Sequence, residues 1–396
     1  MFAGAAARAE QARTYSPGSL RPETARALYG AELHFSSSRI DVLAGCRFAH
    51  FLQYGLRAQE REPAEFDSRF YGTFVHDVLE HVVQQTEREG GFAAVPRSRV
   101  QELAQERMEQ NAQTLLETFP DSGRTGYLLR RTFDEVTQVV DELYDELSVS
   151  AFRPKFCELE FSARGALPGV AFAGERCRGV VEGFVDRVDV WQSGGRPYVR
   201  VVDYKTGKKS FDYTNVLHGR GLQMLLYLFA LVRQGGHLLH GEPLPAGVLY
   251  FPARIERVSV RDRLAQAEIE KERRKQLRRS GVLLNSDPVL EAMEPCGGSP
   301  RFLPYTLDKE GRKTGDLASF VQLAQLERFV FQTVAALGDE LADGRIDPDP
   351  CIRDAKDSAC AFCPYSEICA GHEQPRWLKK ITVEEFWQTL ERREHG

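Results

Sequence analysis

An acid and a lysine separated by a single residue sit in the apolar run V-V-D-Y-K-T-G, residues 201–207. Side chains alternate along a strand, so Asp203 and Lys205 share one face. A second acid, Asp186, stands in G-F-V-D-R-V-D, residues 183–189, at hairpin distance, with Gln192-Ser193-Gly194-Gly195 as the turn. A turn centred on Ser193-Gly194 places Asp186 opposite Val201, with Asp203 one diagonal step away and within reach of a shared cation. Two carboxylates and the backbone carbonyl of Tyr204 make an all-oxygen ligand set suited to Mg²⁺, with Mn²⁺ as the second choice. A cation held there polarises a phosphoryl oxygen and acidifies a bound water, which is the chemistry of phosphodiester hydrolysis. Lys205 would orient that water or neutralise charge developing on the phosphate.

A D-x-K triplet alone is common, and its plain reading is a surface hairpin with an ordinary ion pair. Four further features favour the chemical reading. G-F-V-D-R-V-D precedes the triplet at hairpin distance, and G-T-F-V-H-D-V-L-E, residues 72–80, lies upstream in helical periodicity. Gln223 and Tyr227 fall one turn apart on the helix that follows, and three cysteines close the chain. His76 by itself reads as a packed helix histidine sharing a face with Glu80. In company with Asp186 and Asp203 it is read as a further metal ligand. Glu158 and Glu160 share one face of the first strand and suit a second metal position or salt bridging equally.

The cysteines carry a second chemistry. Cys360, Cys363 and Cys369 stand in C-A-F-C-P-Y-S-E-I-C, and Cys46, far upstream, is the expected fourth ligand of a centre joining front and back. The alanine-rich start, Met1 to Glu10, has no charged region leading into an apolar stretch, and the run 222–232 is too short to span a bilayer. The cytoplasm is therefore the expected compartment, with no membrane partner. In that reducing setting C-x2-C-x5-C points to metal or an iron–sulfur cluster rather than disulfides. Four thiolates also suit Zn²⁺. Cys157, Cys177, Cys296 and Cys351 read as small buried hydrophobes, Cys351 being the alternative ligand because it lies nine residues before the triplet.

These residues need elements to hold them. Residues 1–34, mixing Ala, Arg, Ser, Pro and Gly, read as a linker or arm. Ser36-Ser37-Ser38 offers caps for a helix containing Ile40, Leu43 and Phe48, and a helix is predicted over 69–89. Residues 98–148 read as two helices broken near 120–126. Strands are expected over 155–161, 179–191, 198–205 and 247–251, helices over 222–234 and 319–341, and a charged helix over 262–279. A solvated face is preferred over a DNA contact for that charged run. With 396 residues, 42% hydrophobic and 28% charged, one elaborated α/β domain can absorb the chain. The division is 1–34 arm, 35–376 domain (core strands about 155–251, cysteine loop 351–371) and 377–396 helical tail. A net charge of −5 gives no global attraction to DNA, so any contact must be local.

Taken in order, several segments resemble the PD-(D/E)XK nucleases of the RecB type, in particular the C-terminal nuclease domain found in the B-type subunits of bacterial helicase/deoxyribonucleases. The segments are P-E-T-A-R-A-L-Y-G, S-S-S-R-I, C-R-F-A-H-F-L-Q-Y-G-L, G-T-F-V-H-D-V-L-E, G-F-V-D-R-V-D, V-D-Y-K-T-G, L-Q-M-L-L-Y-L, A-G-V-L-Y-F-P-A and the cysteine triplet. The resemblance implies a central mixed sheet flanked by helices, with helical additions and an iron–sulfur staple joining the N- and C-terminal parts. It implies metal ligands at His76, Asp186 and Asp203, a catalytic lysine at Lys205, and a helix motif at Gln223 and Tyr227. It also implies a [4Fe–4S] cluster on Cys46, Cys360, Cys363 and Cys369. The implied partners are DNA, as single strands at duplex ends, and a motor-bearing helicase–nuclease subunit; the implied task is degradation of the 5′-ended strand in double-strand-break repair and recombination.

Two departures stand out. Where the family usually has proline after the first cysteine, this chain has Arg47. The long helicase-like part and a G-x4-G-K-[ST] loop have no counterpart, so ATP hydrolysis by that route is not expected of these residues. The sequence reads as a fragment of a longer subunit or as a stand-alone nuclease that borrows a motor. An active nuclease competes with two other readings, a catalytically silent, cluster-stabilised DNA-end-binding scaffold and a zinc-binding DNA-contact module.

Overall fold

The computed structural model describes residues 4, 18–58, 68–118, 123–207, 210–255, 266–369 and 375–395. Helix α1 (Pro22–Tyr29) and strand β1 (Leu33–Ser36) lead into α2 (Ser37–Gly45) and α3 (Arg47–His50). Three long helices follow, α4 (Ser68–Arg88), α5 (Arg97–Thr118) and α6 (Gly123–Leu147). Strands β2 (Arg153–Phe161), β3 (Val170–Ala173), β4 (Arg178–Ser193) and β5 (Arg196–Lys205) come next. Helices α7 (Tyr213–Leu217), α8 (Gln223–Gln234) and α9 (Gly236–Leu239) run to β6 (Leu244–Pro252). Then come α10 (Gln266–Gln276), β7 (Ser280–Leu284), α11 (Asp287–Met293), β8 (Tyr305–Leu307), β9 (Lys313–Gly315) and β10 (Leu317–Ala318). Helix α12 (Phe320–Ala342), the short pair β11 (Cys351–Ile352) and β12 (Arg376–Trp377), and α13 (Val383–His395) complete the chain.

The sheet is mixed and flanked by helices, as expected. Its order is β1-β4-β5-β6-β7-β10, with β2 and β3 also pairing β4. β4 and β5 are antiparallel, whereas β5 and β6 are parallel and so need the helical crossover through α7 and α8. Helix α8 reads M-L-L-Y-L-F-A-L from Met224 to Leu231, and all eight residues are buried. An apolar girdle on every side is the mark of a helix enclosed in the core; α8 packs on β5, β6 and α12. Ser36 caps α2 by accepting from the Arg39 N–H at 3.2 Å, as its position predicts.

The β4–β5 register corrects one expectation. Ser193 pairs with Arg196 and Val188 with Val201, so the turn is Gly194-Gly195, not Ser193-Gly194. Both glycines have positive φ, 57° and 75°, as a two-residue type I′ turn requires. Pairing therefore moves by two residues, which keeps every side chain on its expected face. Continued by one step, it sets Asp186 directly across from Asp203.

Other expectations also change. The supposed arm contains α1 and the start of β1, with Ala25 and Leu33 buried and the Leu20 N–H bonded to the Gly344 carbonyl at 2.8 Å. Pro22 at the helix start and Glu23 in its first turn account for α1. The C-terminal tail is docked, since Phe386, Trp387 and Leu390 join the core. In the charged run 262–279, residues 262–265 lie outside the described residues and the helix ends at Gln276. Arg279 beyond it is buried, not solvated.

Arg279 belongs to an ion network on the reverse face of the hairpin. Arg187 Nε and Nη2 donate to Asp189 at 2.8 and 3.0 Å, and Arg200 Nε donates to the same carboxylate at 2.8 Å. Glu146 on α6 accepts from Arg200 at 2.9 Å and from Arg279 at 2.8 Å. Burial alone would raise the Glu146 carboxyl, but Arg279, Arg200 and Arg187 outweigh it and hold the group at about 2. Glu146→Gln, which leaves three buried guanidiniums short of a counter-charge, should lower stability by about 3–5 kcal/mol in urea unfolding at pH 7. The folded carboxyl sits below its unfolded value, so its contribution is complete above the ordinary carboxylate range and fades as pH falls toward 2. The gap between wild type and variant should close with acidification over that interval.

Candidate active site

At the end of the hairpin away from its turn, Asp186 and Asp203 face each other from β4 and β5. Asp186 Oδ2 accepts the Tyr204 N–H at 2.7 Å, a bond that fixes the carboxylate against the neighbouring strand. Asp203 is only 6% exposed, and its Oδ2 meets Lys205 Nζ in an ion pair. Burial, and then the nearby Asp203 charge, push the Asp186 carboxyl well above the usual carboxylate range, while the Tyr204 N–H and Lys205 oppose that shift. Two buried acids this close are short of positive charge, which is the condition a bound cation relieves.

His76 reaches the pair from α4. Its Nε2 lies 2.9 Å from the Tyr204 carbonyl, and its Nδ1 lies 3.4 Å from Asp186 Oδ2. A carbonyl can only accept, so this bond assigns the ring proton to Nε2 and leaves the Nδ1 lone pair facing the acids. Burial lowers the His76 pKa against the opposing pull of Asp203 and the Tyr204 carbonyl, favouring the neutral ring that ligates metal.

Glu158 completes the cluster. His76, Glu158 and Asp186 each offer a ligand atom, all within 4.8 Å of one another. Glu158 has φ of 48°, in the left-handed region that a glutamate seldom adopts, and this departure from strand geometry lies within β2 beside Asp186. Burial first, then Glu80 and Asp203, raise its carboxyl as well. Of the residues expected to bind the ion, then, the described structure gathers His76 and Asp186 with Glu158, while Asp203 lies opposite and is engaged by Lys205. The Tyr204 carbonyl is turned to His76, with one lone pair remaining.

Gln223 is the first residue of α8 and half-buried. Tyr227 is buried, stacks on Phe161 at 4.8 Å between ring centroids and donates its hydroxyl to the Glu182 carbonyl at 3.2 Å. A Cβ on Gly183 would fall 2.1 Å from that hydroxyl, so the glycine of G-F-V-D permits the close approach. Tyr227 thus braces the strand carrying Asp186, with its hydroxyl committed to the backbone. Glu160, the other acid weighed on β2, accepts from Ser162 Oγ at 2.7 Å. Tyr250 on β6 falls within A-G-V-L-Y-F-P-A, a segment given no role by its sequence; it pairs with Asp203, and its ring centre lies 5.6 Å from Lys205 Nζ.

The cysteine loop closes on the front of the chain. Cys46, Cys360, Cys363 and Cys369 line one cavity of about 220 Å³, with Phe48, Pro348 and Tyr365 among its walls. Burial raises the Cys46 thiol to about 11; burial also raises that of Cys360, to which proximity of Cys363 and Cys369 adds. A four-thiol set around one small cavity fits a tetrahedral Cys₄ centre. Cys351 is buried, and its Sγ contacts the Ala44 carbonyl at 3.3 Å rather than lining the cavity. Arg47, in place of the family's proline, is 6% exposed and forms ion pairs with both Glu340 and Asp349. The departure therefore adds an ionic tie between front and back.

No helix among the described residues is long and apolar enough to cross a membrane. A sequence model of the PD-(D/E)XK nuclease superfamily matches residues 34–370. The B-type subunit of the ATP-dependent helicase/deoxyribonuclease of Moorella thermoacetica is 34% identical over 361 residues, covering 90% of this chain and 31% of that protein. The protein of the same name from Caldanaerobacter subterraneus is 31% identical over 366 residues, 88% of this chain and 30% of its own length. That of Thermoanaerobacter sp. is 29% identical over 379 residues, 92% and 33% respectively. The chain spans about a third of the length of these curated relatives.

Proposed function

The chain belongs to the PD-(D/E)XK nuclease superfamily, and from that premise we propose that it is a metal-dependent DNA nuclease hydrolysing phosphodiester bonds. The observation that carries the proposal is the convergence of His76, Glu158 and Asp186, with Asp203 and Lys205 across the hairpin. Bound Mg²⁺, or Mn²⁺ in its place, would polarise the phosphate and acidify a water. Asp186, Asp203 and His76 Nδ1 would hold that ion, with Glu158 and the Tyr204 carbonyl as additional oxygen donors. The Tyr204 N–H and carbonyl lock Asp186 and His76 in place through two bonds from a single residue. Lys205 supplies the positive charge nearest the attacked phosphate, and Gln223 and Tyr227 position the helix and strand around it.

We assign a [4Fe–4S] cluster to Cys46, Cys360, Cys363 and Cys369, whose convergence on one cavity supports that reading. Iron and sulfide analysis of anaerobically purified protein decides between the cluster and Zn²⁺. The names of the relatives support a setting with a motor-bearing helicase–nuclease partner and DNA as substrate. The cytoplasm as compartment and action on DNA ends in break repair and recombination belong to the same proposal. In that setting the chain would act as an exonuclease on the 5′-ended strand. A silent DNA-end-binding scaffold is the competing reading, and the intact Asp186, Asp203 and Lys205 weigh against it. Digestion of end-labelled single- and double-stranded DNA with and without Mg²⁺ separates the two.

His76→Ala should raise the Mg²⁺ concentration for half-maximal digestion about tenfold, in line with losing one ligand among several. Excess metal should restore most of the rate. An unchanged metal titration would return His76 to a packing role against Tyr204.

A further inference from the structure

The β6 residue beside Lys205 also borders a second cavity. Tyr250 forms one wall of a cleft of about 320 Å³, whose other walls include Asp41 on α2, Phe211, Arg220 and Phe362 of the cysteine loop. Phe362 is 95% exposed, between two cysteines of the four-thiol cavity. An aromatic ring held in water on a braced loop offers a free π-face. The Arg220 side chain is about three-quarters buried; its Nη1 makes no hydrogen bond, and the Asp357 carboxylate lies 3.8 Å away. Asp41 is turned inward, accepting the Gly221 N–H at 2.7 Å. The cleft thus joins a stacking surface and a guanidinium-bearing wall to the candidate catalytic lysine through one shared ring.

We propose that this cleft is a nucleobase subsite, taking the base of a nucleotide beside the scissile phosphate in a single DNA strand. The base stacks on Phe362, with the partly exposed Arg220 side chain lining the cleft beside it. The proposal rests on the nuclease reading of the neighbouring acids. The volume lies at the lower end of the roughly 300–1,000 Å³ of small-molecule pockets, room for one nucleoside and not for a duplex. Only an unpaired base presents a free face to an aromatic ring, and such stacking tolerates any base. With a net charge of −5 the chain has no global pull on DNA, so a local stacking contact is where the strand can be registered against the metal site.

The test uses the full chain, Mg²⁺ and end-labelled single-stranded oligonucleotides carrying one abasic site at successive positions, cut under single-hit conditions. In the wild type, one bond at a fixed offset from the abasic site should be cut at least about fivefold less than in the intact strand. Phe362→Ala should erase that gap and raise KM with little change in kcat, while Phe362→Trp retains it; iron content should be the same in all three. A wild-type ladder with no fixed-offset gap, or a gap that survives Phe362→Ala, overturns the subsite while leaving the nuclease reading intact. Absence of any Mg²⁺-dependent cutting by the wild type would instead fail the nuclease reading itself.

Discussion

Asp203→Ala is expected to lower Mg²⁺-dependent DNA digestion by at least about 10³-fold, with oligonucleotide binding in the absence of metal changed little. Removing a single well-placed electrostatic group from an active site costs about 10²–10³ in rate, and here the lost carboxylate also helps hold the ion. Asp203 is buried against Lys205, so its removal also leaves the ammonium without its partner. Lys205→Ala should therefore fall by a similar factor, and the double variant should lose little more than either alone, because the two act as a unit. Asp186→Ala should match them. Its carboxylate is held by the Tyr204 N–H and stands within ligand distance of His76 and Glu158, so no neighbour replaces it. The measurement is single-turnover cleavage of a labelled strand across an Mg²⁺ series. Near-normal digestion by Asp203→Ala would sink the assignment of this hairpin as the active site.

The acids and lysine of that hairpin were legible because strand periodicity survives errors of even register. The turn itself was misplaced, since Ser-Gly and Gly-Gly both suit a tight turn and only the paired left-handed conformations at Gly194 and Gly195 decide between them. Glu158 could not be singled out. Its place in the cluster coincides with a left-handed backbone at a non-glycine residue, which has no sequence signature. The same limit hid the reverse-face network. Glu146 and Arg279 are separated by 133 residues, and a charge in a polar run reads as solvated until its distant partner is known. Arg47 is the sharper case. It stands where the family usually has proline and leaves the neighbouring thiol in place, yet nothing in the sequence signals that its guanidinium bridges two acids of the C-terminal segment.

That ionic tie sets what the cysteines must add. Cys46→Ser is expected to abolish the brown chromophore and destabilise the chain, with Cys360→Ser, Cys363→Ser and Cys369→Ser behaving alike. A centre joining Cys46 to the triplet closes a loop of about 300 residues, and by analogy with a long-loop crosslink this contributes on the order of 4 kcal/mol, less any strain. The loss should not fully release the front from the back. Arg47 still bridges Glu340 and Asp349, and Arg376 still donates to the Ala44 carbonyl at 2.6 Å. Limited proteolysis should therefore cut first within the cysteine loop, where Phe362 and Ile368 are exposed, and only later elsewhere. Binding to DNA ends should weaken, while the acids around His76 remain in place. Cys157→Ser, Cys177→Ser and Cys296→Ser should keep full iron, as none of the three lines the cavity. Full iron and ordinary protease resistance in Cys46→Ser would remove Cys46 from the centre and turn attention to Cys351, whose Sγ lies 3.3 Å from the Ala44 carbonyl two residues before Cys46.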